Sequence, residues 1–227
     1  MTQKRKISIM PSILSADFRN LEEEIRKCEE GGADILHCDI MDGHFVPNIT
    51  FGPMVVKAIR SITALPIDCH LMIENPDKFI PDFAEAGAEM ISVHVEGAIH
   101  LHRTLQQIKD FGIKAGIAVN PATPMEFVYS AAEYCDYILL MSVNPGFGGQ
   151  KFIPSFLGRC SSLRGFLSEY NLNKVDIQVD GGIKIGNVAK MIKAGANMIV
   201  SGSGLFKGDF AENIKAMREN AEAVMDV

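Results

Sequence analysis

Gly31-Gly32-Ala33-Asp34-Ile35-Leu36 is the stretch that decides the fold, because its pattern returns twice further along the chain. Ala86-Gly87-Ala88-Glu89-Met90-Ile91 and Ala194-Gly195-Ala196-Asn197-Met198-Ile199 repeat the order of glycine, alanine, polar residue and apolar run. In each copy a helical pattern runs into the glycine, which tolerates the left-handed conformation at the end of a helix. The repeat therefore predicts the same helix-to-strand joint at three distant points.

Short apolar runs alternate with helical patterns outward from these joints. We predict eight strands, at residues 7–10, 35–40, 67–71, 90–95, 115–119, 137–141, 175–179 and 198–200. Strands that alternate with helices are joined by crossovers and therefore lie parallel. Eight strands close a (β/α)8 TIM barrel, so we predict an α/β fold with residues 1–227 in one barrel domain. An open doubly wound sheet is the alternative, although it usually has fewer strands.

The composition excludes several classes of protein. The chain is 47% hydrophobic with a net charge of −6, which excludes disorder and argues against nucleic-acid or anionic-membrane partners. We expect no signal peptide and no membrane span, since no apolar run approaches roughly 20 residues. Five cysteines without paired spacing favour reduced thiols in a cytoplasmic protein.

Polar side chains end three of the predicted strands. The alternation of a strand places His37 and Asp39 on one face, and Asp68 and His70 on one face of the next strand. Asp180 ends the seventh strand, and the carboxyl ends of barrel strands meet at one face. Two imidazoles and two carboxylates suit one divalent ion, Zn²⁺ foremost, with Fe²⁺, Mn²⁺ and Co²⁺ as alternatives. A single histidine or aspartate at the end of a strand is more often structural. Four such groups buried together without a bound partner would destabilise the fold, so their coincidence favours a metal site.

Glycine-rich loops follow the last three predicted strands. They contain Gly146-Phe147-Gly148-Gly149, Gly181-Gly182 and Ser201-Gly202-Ser203-Gly204. Barrels often bind phosphate with the loops after strands seven and eight. Glycine can also simply relieve crowding where a strand meets a helix. That explanation accounts for one such loop more easily than for three neighbouring loops, so we predict a phosphate site.

An aspartate pair beside a metal ion suits acid–base chemistry at a carbon next to a carbonyl. One aspartate would remove a proton, the metal would stabilise the enediolate, and the second aspartate would protonate the opposite face. Spacing alone permits proton transfer, metal-assisted hydrolysis and aldol cleavage about equally.

Several longer motifs, in family order and spanning nearly the whole chain, resemble the ribulose-phosphate 3-epimerase family. They lie at residues 11–18 (PSILSADF), 37–48 (HCDIMDGHFVPN), 68–72 (DCHLM), 143–150 (VNPGFGGQ), 179–182 (VDGG) and 201–203 (SGS). The resemblance implies a ribulose-phosphate-binding TIM barrel that interconverts D-ribulose 5-phosphate and D-xylulose 5-phosphate in the pentose phosphate pathway. It also implies a homo-oligomer, from dimer to hexamer, with a small phosphorylated sugar as substrate.

The resemblance implies a role for individual residues. His37, Asp39, His70 and Asp180 would hold one divalent ion per subunit, with Asp39 and Asp180 as the two catalytic acid–base groups. Substrate contacts are implied for Ser12, His70, Gly146, Phe147, Gly148, Gly149, Asp180, Gly181, Gly182, Gly202 and Ser203. An apolar collar is implied for Met41, Met72 and Met141.

Departures from the family pattern are slight. Gly204-Leu205-Phe206 stands where Ala-Ile-Phe is more familiar, which leaves room for a D-allulose 6-phosphate 3-epimerase. That relative alters the glycine pair after the seventh strand, whereas Gly181-Gly182 is intact here and favours the pentulose phosphate. A non-catalytic metal- or phosphate-binding barrel, or a metal-free isomerase barrel, would also fit these motifs. The complete set of ligands and aspartates speaks against the non-catalytic barrel.

Overall fold

The computed structural model describes residues 5–224 and contains all eight strands that the sequence predicts. They are β1 Ser8–Pro11, β2 Leu36–Met41, β3 Ile67–Met72, β4 Met90–His94, β5 Lys114–Val119, β6 Tyr137–Met141, β7 Asp176–Asp180 and β8 Met198–Ser201. All neighbours pair in parallel, in the order β1-β8-β7-β6-β5-β4-β3-β2. A parallel bridge between Ser12 and His37 joins the two ends, so the sheet is a TIM barrel and the open-sheet alternative is wrong.

Helices fill the connections between the strands and cover the outside of the barrel. Among residues 5–224 they are α1 Leu21–Glu30, α2 Pro53–Arg60, α3 Ile80–Glu85, α4 Leu101–Asp110, α5 Glu126–Tyr129, α6 Phe156–Glu169, α7 Val188–Lys193, α8 Ser203–Phe206 and α9 Phe210–Glu222. Short 3-10 helices lie at Ile13–Ser15, Phe18–Asn20, Pro76–Lys78 and Ala132–Tyr134. None of the helices in this described part is long and apolar enough to cross a membrane.

The three repeated joints share one geometry. Gly32, Gly87 and Gly195 have φ angles of 84°, 99° and 110°, the left-handed conformation that ends a helix before the next strand. The polar residue two positions after the glycine then makes two hydrogen bonds to one residue of the preceding strand. Its backbone N–H donates to the carbonyl of that residue, and its side chain accepts from the N–H of that residue. Asp34, for example, donates its N–H to the Ile9 carbonyl at 3.0 Å and accepts the Ile9 N–H on Oδ2 at 2.9 Å.

A fourth joint of the same kind lacks the glycine. Asp136 donates its N–H to the Ala115 carbonyl at 2.8 Å and accepts the Ala115 N–H on Oδ2 at 2.8 Å. Tyr134 and Cys135 precede it where the other joints have glycine and alanine, so the sequence pattern did not reveal it. Together the four joints fix the pairs β1/β2, β3/β4, β5/β6 and β7/β8 at the amino end of the barrel.

The core has two layers. Branched side chains on the outer face of the barrel pack against the helices, and Cys38 and Cys69 lie fully buried in this layer. Inside the barrel, Met10, Met90, Tyr137, Met198 and Val200 fill the end nearer the amino termini of the strands, together with Ile35. The interior near the amino ends of the strands is therefore largely apolar, whereas Asp39 and Asp180 lie nearer the carboxyl ends of β2 and β7.

Candidate active site

A cleft opens at the carboxyl ends of the strands, where a TIM barrel carries its chemistry. Its wall contains most of the residues that the sequence assigned to the site, namely Ser12, Asp39, Met41, Met72, Met141, Gly146, Phe147, Gly148, Gly149, Asp180, Gly181, Gly182, Gly202 and Ser203. His37 and His70 lie behind this wall with fully buried side chains. The predicted site residues therefore come together in one place, with the two histidines beneath the surface of the cleft.

Four side chains form a cluster in this cleft. One ligand atom from each of His37, Asp39, His70 and Asp180 lies within 4.8 Å of the others. The inward-facing positions of β2 place His37 and Asp39 on one side, and the strand register sets Asp39 beside His70 of β3. His37 Nε2 and His70 Nδ1 each lie 3.3 Å from Asp39 Oδ1. The donor atoms therefore converge on one small volume.

The cluster fits a divalent cation. Within residues 5–224, His37 Nε2 is a buried polar atom without a hydrogen-bond partner. Such an atom costs about 1–3 kcal/mol unless something satisfies it. Two imidazole nitrogens and two carboxylates are a common donor set for Zn²⁺ and similar ions. A cation bound by this set would satisfy the His37 nitrogen.

Asp68 orients His37, a role that the sequence did not reveal although Asp68 shares the inward face with His70. Its buried carboxylate accepts from His37 Nδ1 at 2.8 Å, from the Tyr137 hydroxyl at 2.7 Å and from Gln178 Nε2 at 2.6 Å. A carboxylate accepts from Nδ1–H, so a neutral His37 keeps its lone pair on Nε2, which faces the cluster. Carboxylates commonly fix metal-binding histidines in this way.

His70 is flanked on its outer side by a different chain of contacts. Its Nε2 lies 2.8 Å from His94 Nε2, and His94 Nδ1 lies 3.0 Å from Glu96 Oε2. The Phe45 ring packs on the His94 ring with a centroid distance of 4.7 Å. Glu96 follows β4 in a loop, and no motif marked it in the sequence.

Asp39 and Asp180 have opposite electrostatic surroundings in the metal-free protein. Burial raises the pKa of Asp180 to about 7, and the negative charge of Asp39 adds to this effect. Burial also acts to raise the pKa of Asp39, but the neighbouring His37 and His70 imidazoles lower that pKa well below its ordinary value. The Ser12 hydroxyl donates to Asp39 Oδ2 at 2.6 Å and fixes the carboxylate. One aspartate is therefore ionised at neutral pH while the other can carry a proton, as an acid–base pair requires.

Backbone lines the part of the cleft that the sequence predicted to bind phosphate. Gly181 has a φ of 115°, and a Cβ on Gly202 would collide with the Ser15 side chain. Glycine therefore lets these loops approach the cleft closely. The cleft wall, all of it in the described part of the chain, contains no lysine or arginine. An anion bound there would depend on backbone N–H groups.

The loop between β6 and α6 is tied to a second loop at the edge of the cleft. Gln150 Nε2 donates to the Asn144 carbonyl at 2.6 Å and to the Phe147 carbonyl at 2.8 Å. Asn48 Nδ2 donates to the Gly146 carbonyl at 3.0 Å and connects this loop to the one after β2. The Phe147 side chain stays 55% exposed at the mouth of the cleft.

The three methionines of the predicted collar lie on two sides of the cleft. Met41 and Met72 form a small apolar cluster with Val46 beside the cleft, and Met141 packs with Val143 on the other side. All three also line the cleft, so apolar surface surrounds the aspartates.

The fold and the cleft define a TIM-barrel enzyme with a polar cluster at its carboxyl face. Solved structures share the fold at low identity. KGPDC from Streptococcus mutans matches with a TM-score of 0.73 and 9% identity over 97% of this chain and 99% of that chain. A thiamine phosphate pyrophosphorylase from Pyrococcus furiosus matches with a TM-score of 0.65 and 16% identity over 97% of each chain. At these identities the similarity shows the fold alone.

The chain belongs to the ribulose-phosphate 3-epimerase family, whose model matches residues 8–206. It is 52% identical to ribulose-phosphate 3-epimerase of Bacillus subtilis, over 88% of this chain and 92% of that protein. It is 50% identical to the chloroplastic ribulose-5-phosphate-3-epimerase of Arabidopsis thaliana, over 95% of this chain and 77% of that protein. Identity to the Escherichia coli enzyme is 48%, over 95% of this chain and 96% of that protein. The protein is therefore an isomerase of the epimerase type.

Proposed function

We propose that this protein interconverts D-ribulose 5-phosphate and D-xylulose 5-phosphate by moving a proton at C3. The observation that carries the proposal is the pair Asp39 and Asp180, which face one cleft with carboxylate oxygens within 4.8 Å of each other. The names of the similar curated proteins support the substrate. The intact Gly181-Gly182 pair supports this pentulose phosphate over D-allulose 6-phosphate.

We infer that His37, Asp39, His70 and Asp180 hold one divalent ion, Zn²⁺ before Fe²⁺, Mn²⁺ or Co²⁺. The convergence of their ligand atoms and the unpaired His37 nitrogen support this inference. When bound, the ion would supply positive charge beside the oxygen atoms of the substrate and so stabilise negative charge that develops there.

The two aspartates work from opposite faces of C3 in this proposal. Ionised Asp39 accepts the C3 proton on one face, and protonated Asp180 donates a proton to the other face. In the reverse direction their roles are exchanged. The configuration at C3 is thereby inverted, while the substrate gains and loses one proton and no electrons.

Other groups around the cleft position the substrate. The Ser12 hydroxyl holds the Asp39 carboxylate in one orientation, as its 2.6 Å hydrogen bond indicates. Backbone N–H groups of the loops at 146–149, 181–182 and 202–203 would bind the phosphate, with Phe147 at the mouth. Met41, Met72 and Met141 would limit water around the reacting carbon. His70 is fully buried, so its contact with substrate stays a prediction.

The wider setting is proposed from the family alone. Membership supports a place in the pentose phosphate pathway, and the bacterial relatives support a cytoplasmic enzyme. A homo-oligomer, from dimer to hexamer, stays a prediction.

Epimerisation of D-ribulose 5-phosphate before and after chelation tests the proposal. We expect turnover that is lost on metal removal and restored by a divalent ion. D-Allulose 6-phosphate is the comparison substrate and should turn over more slowly. Metal-replete protein that leaves D-ribulose 5-phosphate unchanged would contradict the proposed activity, and turnover that chelation does not affect would contradict the metal.

A further inference from the structure

The outer nitrogen of His70 determines what its inner nitrogen can bind. His70 Nε2 and His94 Nε2 lie 2.8 Å apart, a distance at which one nitrogen donates a hydrogen and the other accepts it. The His94 side chain is 1% exposed and lies under Phe45. Because a neutral imidazole carries one hydrogen, the direction of this bond decides whether His70 Nδ1 has a free lone pair.

Glu96 sets that direction. Its carboxylate can only accept, so His94 Nδ1 donates to Glu96 Oε2 across 3.0 Å. Neutral His94 then has a lone pair on Nε2 and accepts from His70 Nε2–H. His70 Nδ1 is then left unprotonated on the side of the cluster, although Asp39 Oδ1, 3.3 Å away, could itself accept a hydrogen from it.

Glu96 is in turn fixed from outside the cluster. Its Oε1 accepts the Asn120 N–H at 2.9 Å and a hydrogen bond from the Thr123 hydroxyl, both in the connection between β5 and α5. The Glu96 side chain is 22% exposed, so it reaches from the rim of the barrel to the buried histidine. His70 is therefore aligned through a relay, whereas His37 is aligned directly by Asp68.

We propose that Glu96, acting through His94, is a positioning residue that holds His70 with its hydrogen on Nε2 and its Nδ1 free to bind the cation. This inference rests on the proposed metal site. The placement of the hydrogen, however, is a property of the metal-free chain and is measured without the ion.

Replacement of the carboxylate by an amide reverses the relay with almost no change of shape. In Glu96→Gln the Asn120 N–H draws the amide oxygen, so the amide NH₂ lies against His94 Nδ1. His94 must then accept at Nδ1 and donate from Nε2. His70 accepts at Nε2 and carries its hydrogen on Nδ1, where it opposes metal binding.

Nitrogen-15 NMR of the imidazole rings, at mildly alkaline pH without metal, measures these hydrogens directly. We expect the wild type to carry them on Nε2 of His70 and on Nδ1 of His94. In Glu96→Gln the positions on His70 and His94 should be exchanged, while His37 should be unchanged. The zinc dissociation constant, measured by competition with a chelator, should rise about 10–100-fold.

Glu126→Gln is the matched control. Glu126 is exposed, and both Glu126 and Glu96 lie near Arg159. It should change neither the ring hydrogens nor the zinc affinity. A wild-type His70 with its hydrogen on Nδ1, a doubly protonated His94, or a Glu96→Gln protein with wild-type tautomers would overturn the positioning role. Wild-type protein that binds no divalent ion would instead overturn the proposed metal site.

Discussion

In the described part of the chain, buried polar groups have hydrogen-bond partners at the amino end of this barrel, whereas some lack them at the carboxyl end. At the amino end, Asp34 Oδ2 accepts from the Ile9 N–H at 2.9 Å and from Arg218 at 2.7 Å, and Oδ1 pairs with Lys6 at 3.2 Å, so both oxygens have partners within the fold. At the carboxyl end, His37 Nε2 is buried without a hydrogen-bond partner among residues 5–224, and burial raises the pKa of Asp180 to about 7.

The residues that stabilise the fold are therefore different from those available for ligand binding and proton transfer. Polar groups that are satisfied by neighbouring backbone and cations stabilise the fold and have nothing left to offer a ligand. Polar groups that converge without partners destabilise the fold but can bind an ion or move a proton. Substitutions at the carboxyl end should therefore change activity, and those at the amino end should change the free energy of unfolding.

Asp180→Asn should give the largest effect. Loss of an acid–base group should lower kcat by about 10²–10⁴-fold. The free energy of unfolding should stay equal or increase, because a buried carboxyl beside Asp39 is removed. Steady-state kinetics together with urea unfolding check both parts, and a variant with near-native kcat would contradict the role of Asp180.

Asp68→Asn should act on metal affinity. An amide cannot accept from His37, Tyr137 and Gln178 as the carboxylate does, so the orientation of His37 is no longer fixed. We expect zinc affinity to fall about 10–100-fold. Asp77→Asn, a change of the same kind in the 3-10 helix Pro76–Lys78, is the control. Unchanged zinc affinity in the Asp68 variant would argue against the orienting contact.

Asp34→Ala tests the amino end. It leaves the Ile9 N–H without its acceptor, while Arg218 keeps the Gly32 carbonyl. We expect a loss of about 1–3 kcal/mol in the free energy of unfolding with kcat unchanged. The exposed substitution Asp110→Ala should change stability by less than about 0.5 kcal/mol. A large fall in kcat for Asp34→Ala would contradict the statement that the amino end of the barrel affects stability and not activity.

The same residue predicts a pH dependence. Burial acts to raise the pKa of Asp34, but the Ile9 N–H and Arg218 outweigh it and lower that pKa below its ordinary value. The stabilisation is therefore complete at neutral pH, above the unfolded pKa, and is lost as the pH falls through the folded pKa. Urea unfolding at decreasing pH should show a weaker acid dependence for Asp34→Ala than for the wild type.

Two glycine substitutions should give the smallest effects, with opposite signs. Gly32 has a φ of 84° with no atom within 4 Å of an added Cβ, so Gly32→Ala should cost only backbone strain, about 1–2 kcal/mol. Gly165 lies inside α6 with open space around it, so Gly165→Ala should stabilise by about 0.5–1 kcal/mol. Thermal unfolding checks both, and equal shifts would contradict the left-handed joint.

The sequence predicted most of the fold and the cluster, because both depend on local periodicity. Alternation along β2 and β3 was enough to place His37, Asp39 and His70 on the inward face. Asp180 followed from its position at the end of β7.

What the sequence did not reveal depends on contacts between distant segments. The relay from His70 to Glu96 continues to Asn120 and Thr123, which lie 24 and 27 residues beyond Glu96. The fourth joint was not recognised because Tyr134 and Cys135 stand where the other joints have glycine and alanine. No local pattern encodes the relay, since it depends on how neighbouring strands and loops meet.

The central claim, that two aspartates serve opposite faces of C3, is tested by early turnover of D-ribulose 5-phosphate in deuterium oxide. Proton NMR follows hydrogen at C3 in both epimers before equilibrium is reached. We predict that D-xylulose 5-phosphate forms with deuterium at C3, because the donating aspartate has exchanged with solvent, while unreacted substrate keeps its hydrogen. Product that retains the substrate's own hydrogen would show a single group acting on both faces and would contradict the account.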